Sequence, residues 1–227
     1  MKRSKKMMAA LLALALVLLC ACGNSGNSGN NGGSTNDTQT SQPADNGGEN
    51  TPADNGGSTG TAEPAEFNGK LQGPFLMTTC GQSTGSVMCH MAAVQAGLTS
   101  TDEHQLMASE VATLGADAKT LIITTGTSGK GMGAAGTDVD AEIERCTAVA
   151  EAAKEQGMLV VCAHIEGMSR RTDANDQASI DAILPLADVI VCVEDSDSDG
   201  LFSDYAEANN VPIIIVPDAL SLSSYME

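Results

Sequence analysis

Val189-Ile190-Val191-Cys192-Val193 is an unbroken apolar run bracketed by Asp188 and Glu194. A strand with one face in water alternates apolar and polar residues, so a continuous run of strand formers is buried on both faces. The same chemistry recurs at Pro74 to Thr79, Thr120 to Thr125, Met158 to Ile165 and Val211 to Val216. Between these runs lie segments with apolar residues at helical spacing: Ser83 to Ala96, Asp138 to Gln156, Asn175 to Leu184 and Gly200 to Asn209. Strands that alternate with helices need crossover connections, and crossovers make a parallel sheet covered on both sides. The expected fold is therefore α/β, a Rossmann-like three-layer sandwich with five or six parallel strands. A sixth strand is placed at His104 to Ala108, followed by a short helix from Ser109 to Ala116.

Outward from this core the chain changes character. Residues 67–227 suffice for a single α/β domain with one core. Residues 22–66 are mostly Gly, Asn, Ser, Thr, Asp and Pro with no Lys or Arg and almost no large apolar residue, a composition that cannot offset the entropy of ordering and reads as a disordered tether. Residues 1–21 have a basic start (Lys2, Arg3, Lys5, Lys6) and an apolar run from Met7 to Leu19, the layout of a secretory signal and too short to span a bilayer comfortably. The run ends in Leu19-Cys20-Ala21-Cys22, which resembles the lipoprotein signal in which a Leu and two small residues precede a lipidated Cys. Cys22 fits that position. Cys20 does not, because Leu19 would stand where the signal peptidase needs a small side chain. The expectation is a palmitoylated lipoprotein on the extracytoplasmic face of a bacterial cell membrane.

Charge narrows the partners. The chain carries 29 Asp and Glu against 11 Lys and Arg, a formal charge of -18. Nucleic acid and anionic membrane surfaces would repel it, so no nucleic acid is expected. Five aromatic residues and no Trp leave few stacking platforms for sugars.

An open parallel sheet binds ligands beyond the carboxyl ends of its strands, so the residues after each strand matter most. After the first comes Cys80-Gly81-Gln82-Ser83-Thr84-Gly85, which satisfies the G-x-S-x-G spacing of a nucleophile elbow. Ser83 there is read either as a nucleophile or, more simply, as a helix N-cap. After Thr125 comes a loop with Ser128, Gly129, Lys130, Gly131, Gly133 and Gly136, which departs from the P-loop and from the dinucleotide fingerprint. After the next strand come His164, Arg170 and Arg171. Either the scarce strand-end cations Lys130, Arg170 and Arg171 recognise a carboxylate or phosphate, or the arginines, Arg145 among them, pair with Asp138, Asp140, Glu142 or Asp195 and fix loops. Asp195, Asp197, Asp199 and Gly200 match the first positions of a calcium loop, but Ala206 stands where the bidentate Glu should be, so at most a weak calcium site is expected and no other cofactor. Cys80, Cys89, Cys146, Cys162 and Cys192 lack C-x-x-C spacing, which speaks against a disulfide framework or zinc; Cys80 alone sits where a reactive thiol is conceivable.

Collected, these residues resemble an uncharacterised bacterial secreted family, domain-of-unknown-function family 6305. The resemblance rests on Gly81-Gln82-Ser83, on Ser128-Gly129-Lys130-Gly131-Met132-Gly133-Ala134-Ala135-Gly136 with Asp138, Glu142 and Arg145, on His164, Gly167, Arg170 and Arg171, and on Asp199-Gly200-Leu201-Phe202. It implies a common Rossmann-like fold with a shared site at the strand ends and implies no particular activity.

The resulting expectation is a domain that binds a small polar or anionic ligand. Its contacts would come from Gln82, Ser83, the Ser128 to Gly136 loop with Lys130, His164, Arg170 and Arg171. Any closure over the ligand would come from a homodimer or a membrane protein partner. Two alternatives accompany it: a hydrolase or transferase using Ser83 or Cys80 with His164, and a cell-envelope protein-interaction module.

Overall fold

The computed structural model describes residues 68–227, and the expected signal and the whole of the expected tether, Cys22 included, lie outside the described residues. Six strands form one sheet: β1 (Phe75–Thr79), β2 (Ser100–Asp102), β3 (Thr120–Thr124), β4 (Leu159–His164), β5 (Val189–Val193) and β6 (Ile213–Val216). Their order is β2-β1-β3-β4-β5-β6, and every neighbouring pair is parallel. The domain is thus the expected α/β sandwich with the larger of the two expected strand counts. Every residue of β1, β3, β4 and β5 is buried, as their continuous apolar runs require.

Side chains along these strands alternate between two cores. Leu76, Leu121, Ile123, Val160, Cys162, Ile190 and Cys192 face one side, where they meet α2 (Ala108–Leu114), α4 (Val139–Glu155), α5 (Ala174–Ile183) and α6 (Leu201–Asn209) through Val111, Val149, Ile180 and Phe202. Phe75, Met77, Ile122, Val161 and Val191 face the other side. There α1 (Gly85–Gln95) and the 3₁₀ turns of Ala219–Tyr225 cover them with Cys89, Ala92, Ala93 and Leu222.

Two local expectations are corrected. The sixth strand runs through Ser100–Asp102 rather than His104 to Ala108, pairing Phe75 with Ser100 and Met77 with Asp102. The carbonyls of His104 and Leu106 serve other donors: Thr78 Oγ1 and Gln82 Nε2 reach the first, at 3.3 and 3.1 Å, and Arg145 Nη1 the second, at 2.9 Å. The glycine-rich segment, read as a loop, is a short helix α3 (Gly129–Ala135). Ser128 Oγ caps it by accepting from the Gly131 N–H at 3.1 Å, and it ends at Gly136.

Candidate functional site

β1 continues outward to β2, while β3 lies on its other side, so the direction of winding reverses between β1 and β3. In open α/β sheets this reversal is where ligand crevices form. Two turns meet there and are stitched together. Gln82 and Thr127 form an isolated antiparallel bridge, and the Ser128 N–H donates to the Gly81 carbonyl at 2.8 Å. Two glycines make this approach possible. Gly81 has φ of 116°, and a Cβ on it would lie 2.6 Å from Thr127 Cγ2. A Cβ on Gly131 would overlap the carbonyl oxygen of Gln82. Gln82 itself is held at φ of 55°, a left-handed conformation that a non-glycine residue adopts at a cost.

Buried polar groups hold the two turns from behind. Glu142, one turn into α4 and 2 % exposed, accepts from the Gly81 N–H at 3.1 Å, from Gln82 Nε2 and from Arg145 Nη2 at 2.7 Å. Arg145 also donates to the carbonyls of Thr79 and Leu106 and to Thr78 Oγ1. On the β3 side, Asp176 of α5 accepts from the N–H and hydroxyl of Thr127 at 2.8 and 2.7 Å and from those of Thr172. Burial pushes the Asp176 pKa up, but the hydrogen bonds from Thr172 and Thr127 outweigh it and hold the carboxyl below its ordinary range. Ser179 Oγ accepts from the Gly126 N–H at 2.9 Å.

The β4 end supplies His164, which is fully buried. Its Nε2 is 3.3 Å from the Gly167 carbonyl, which can only accept, so Nε2 carries the proton and Nδ1 accepts from Thr125 Oγ1 at 3.0 Å. The ring stacks on Phe202 with centroids 5.3 Å apart. Burial pushes its pKa down to about 4. The imidazole is therefore neutral near pH 7, and neither nitrogen bonds to Ser83 or Cys80.

Ser83 is fully buried, its Oγ 3.2 Å from Thr79 Oγ1. The N-cap reading of Ser83 is corrected: α1 starts at Gly85, so Thr84 occupies the cap position; it makes no capping bond, and its hydroxyl donates to Glu166 Oε1 at 2.8 Å. A hydrogen bond with the adjacent Cys146 thiol, reinforced by burial, pushes the Cys80 thiol far above its ordinary range. No nucleophile and base pair is assembled from Ser83 or Cys80 with His164 in this structure.

The three arginines are spent on carboxylates to different degrees. Arg145 pairs with Glu142, one of its anticipated partners. Arg171 pairs with Asp199 through both ends of its guanidinium, at 2.6 and 2.8 Å, donates to the Ser196 carbonyl, and lies over the Phe202 ring. Arg170 is freer: Nε bonds Glu166 Oε1 at 3.3 Å and Nη1 the Thr127 carbonyl at 2.6 Å, while Nη2 has no protein partner among the described residues and the side chain is 30 % exposed.

The structure thus gathers Gln82, Ser128, Gly131 and Arg170 around the β1/β3 junction, with Ser83 and His164 beneath it. Gly129, Lys130, Gly133 and Gly136 lie on or at the end of α3, and Gly129, Lys130, Gly133 and Gly136 are exposed. Arg171 is turned toward the loop after β5. Asp195 accepts from the Met168 N–H, Asp197 from the N–H groups of Phe202 and Ser203, and Asp199 from Arg171, so no two of the three carboxylates share a donor. No group of three His, Cys, Asp or Glu among the described residues is arranged to hold a metal ion. Glu166, Asp176 and Ser179 escaped the sequence reading. Glu166 stands two places after His164 and was within reach; Asp176 and Ser179 carry no local signal, being ordinary polar residues of a helix that follows a different strand.

The chain belongs to a family described as a domain of unknown function (DUF6305), whose profile covers residues 72–227. No curated protein matches it. Among solved structures it is similar to a GDSL-like lipase from Bacteroides thetaiotaomicron, with 12 % identity over 68 % of this chain and 72 % of that one and a TM-score of 0.34. It is similar also to a psychrotrophic esterase, EstA, from a Pseudoalteromonas species, with 10 % identity over 62 % of this chain and 76 % of that one and a TM-score of 0.28.

Proposed function

We propose that this chain is a lipid-anchored extracytoplasmic protein whose domain binds a small anionic ligand on the outer rim of the β1/β3 junction. The observation that carries the proposal is the left-handed Gln82 at the switch in strand order, locked by the buried Glu142 and Arg145. A strained residue persists when its surroundings over-determine it, and such residues cluster at ligand clamps. The ligand class follows from charge. Arg170 keeps one amino group free while its other nitrogens fix it to Thr127 and Glu166, and exposed Lys130 stands three residues beyond Thr127. A guanidinium held in this way loses little entropy on meeting a carboxylate or phosphate. The wholly buried Ser83 and His164 support the site and do not touch the ligand.

A thermal-shift screen of the chain without residues 1–22, against carboxylates and phosphates at millimolar concentration, tests the binding. Binding to the folded state raises the melting temperature by mass action. The expected result is a rise with at least one of these anions that the Lys130→Ala, Arg170→Ala double variant loses and the Lys119→Ala variant keeps. A rise that survives the double variant would place the ligand elsewhere, and no rise with any anion would end the proposal. The anchor is tested separately. In a bacterial host supplied with an alkyne-tagged palmitate, the full chain should take up label and the Cys22→Ser variant should not; label retained by that variant would refute lipidation at Cys22.

A further inference from the structure

α1 covers one face of the sheet with Ser86, Cys89, Ala92 and Ala93, which are buried. Its opposite face carries Val87, Met91 and Val94, which are 38, 52 and 58 % exposed. A surface helix normally turns charge toward water. α1 has no Asp, Glu, Lys or Arg, and it is the only one of the six α-helices among the described residues without one. The C-terminal 3₁₀ turns pack alongside it, tied by Gln95 Nε2 to Ser223 Oγ at 3.0 Å, and they expose Leu220 and Tyr225. Five of the eight large apolar residues exposed on the described domain therefore fall on α1 and these turns.

We infer that this face is the contact between two copies of the chain, packed about a two-fold axis that passes beside Met91. Charge selects the occupant. Residues 68–227 hold 23 acidic and 7 basic side chains, so two copies repel each other through nearly every surface, and the uncharged face is where they meet without that cost. A basic protein would be drawn to the acidic surfaces instead. A bilayer fits poorly, because α1 and the turns carry no Trp, Lys or Arg of their own and the one cation beside them, Lys70, is held by the Ser224 carbonyl at 3.0 Å.

Spacing and area agree with a second copy. Val87, Met91 and Val94 are separated by four and then three residues, the seam spacing of paired helices. The seam is symmetric about Met91, as an isologous contact requires: in an antiparallel pair Met91 meets Met91, and Val87 of each copy meets Val94 of the other. The exposed parts of the five side chains amount to roughly 400 Å² per copy, about half of what a standard interface buries on each partner, which is the share expected of its apolar centre. The inference is independent of what the β1/β3 junction binds.

Sedimentation equilibrium of the full chain in density-matched detergent reads the association directly. The expected mass rises with concentration toward twice that of the monomer, and Met91→Glu weakens the association by at least about tenfold while leaving unchanged the melting temperature measured at a concentration where both chains are monomeric. Oxidation with diamide, which takes two electrons and two protons from a pair of thiols, should convert the Met91→Cys chain to a covalent dimer. The unaltered chain and a Leu114→Cys chain, with its cysteine on exposed α2, should stay uncrosslinked under the same conditions. A mass that stays monomeric at every concentration, an association that Met91→Glu leaves unchanged, or cross-linking no greater at Met91→Cys than at Leu114→Cys would each overturn the inference.

Discussion

Replacing Glu142 with alanine should lower the unfolding free energy by about 3 to 5 kcal/mol, the largest single effect expected of any side chain at the junction. The carboxylate is 2 % exposed and is shared by the Gly81 N–H, the Gln82 amide and Arg145. Its removal leaves a buried guanidinium without a counter-charge and two donors without their acceptor, the circumstance in which breaking an ion pair costs most. Replacing both partners with apolar residues of similar volume should cost less than the single change, because no orphaned charge remains. Against a total stability on the order of 5 to 15 kcal/mol, the single variant is close to unfolding. Urea denaturation of Glu142→Ala beside Glu144→Ala, an exposed change on the same helix expected to move stability by no more than about 0.5 kcal/mol, makes the comparison. Equal midpoints for the two would mean that the turns are held by their backbone bridge alone.

Acid should weaken the domain between about pH 6.5 and pH 4, and His164 should be the cause. Its folded pKa, pushed down to about 4 by burial, lies below that of the unfolded chain. Within the window the unfolded state binds the proton and the folded state does not, so stability rises with pH. The contribution is complete above about pH 6.5 and is lost as pH falls toward 4, a loss on the order of 3 kcal/mol. Asp199, held near 2 by its hydrogen bonds from Arg171, acts in a lower range, since its contribution is present above about pH 4 and is lost only as pH falls toward 2. Urea midpoints measured at intervals from about pH 7 to pH 4.5 should slope downward in the unaltered chain and flatten in His164→Gln, whatever that variant costs at pH 7. A slope unchanged by the substitution would show that other groups carry the acid sensitivity.

The parts of the fold and site that were legible in the sequence are those carried by short spacing. The apolar run Val189 to Val193 announces a strand buried on both sides, and Asp138 ahead of Val139 announces a helix start; both are local patterns, and the structure places those elements within a residue or two. The edge strand beside β1 begins at Ser100, four residues before the expected His104. Ser100–Asp102 is short and polar, and it is a strand only because Phe75–Met77 offers it an unpaired edge. Likewise Ser128 to Gly136 was recognisable as special from its glycines, but that it coils into α3 beneath a serine cap depends on Gly131 fitting against Gln82, 49 residues earlier in the chain.

Position along the chain therefore determined the parallel sheet, the crossover helices and the strand ends where a site should lie, because burial periodicity is written into neighbouring residues. Only the tertiary structure decided which charged side chains remain free to meet a ligand. Arg170 and Arg171 are adjacent in sequence and equivalent by composition, yet Arg171 is consumed by Asp199, 28 residues away, while Arg170 is left half-satisfied at the junction. His164 had the look of a base, and stacking on Phe202 with both nitrogens bonded makes it a neutral strut. Each of these outcomes depends on partners that come from other elements of the sheet, and a charge or proton is assigned by the groups that surround it in space, not by those that precede and follow it in the chain.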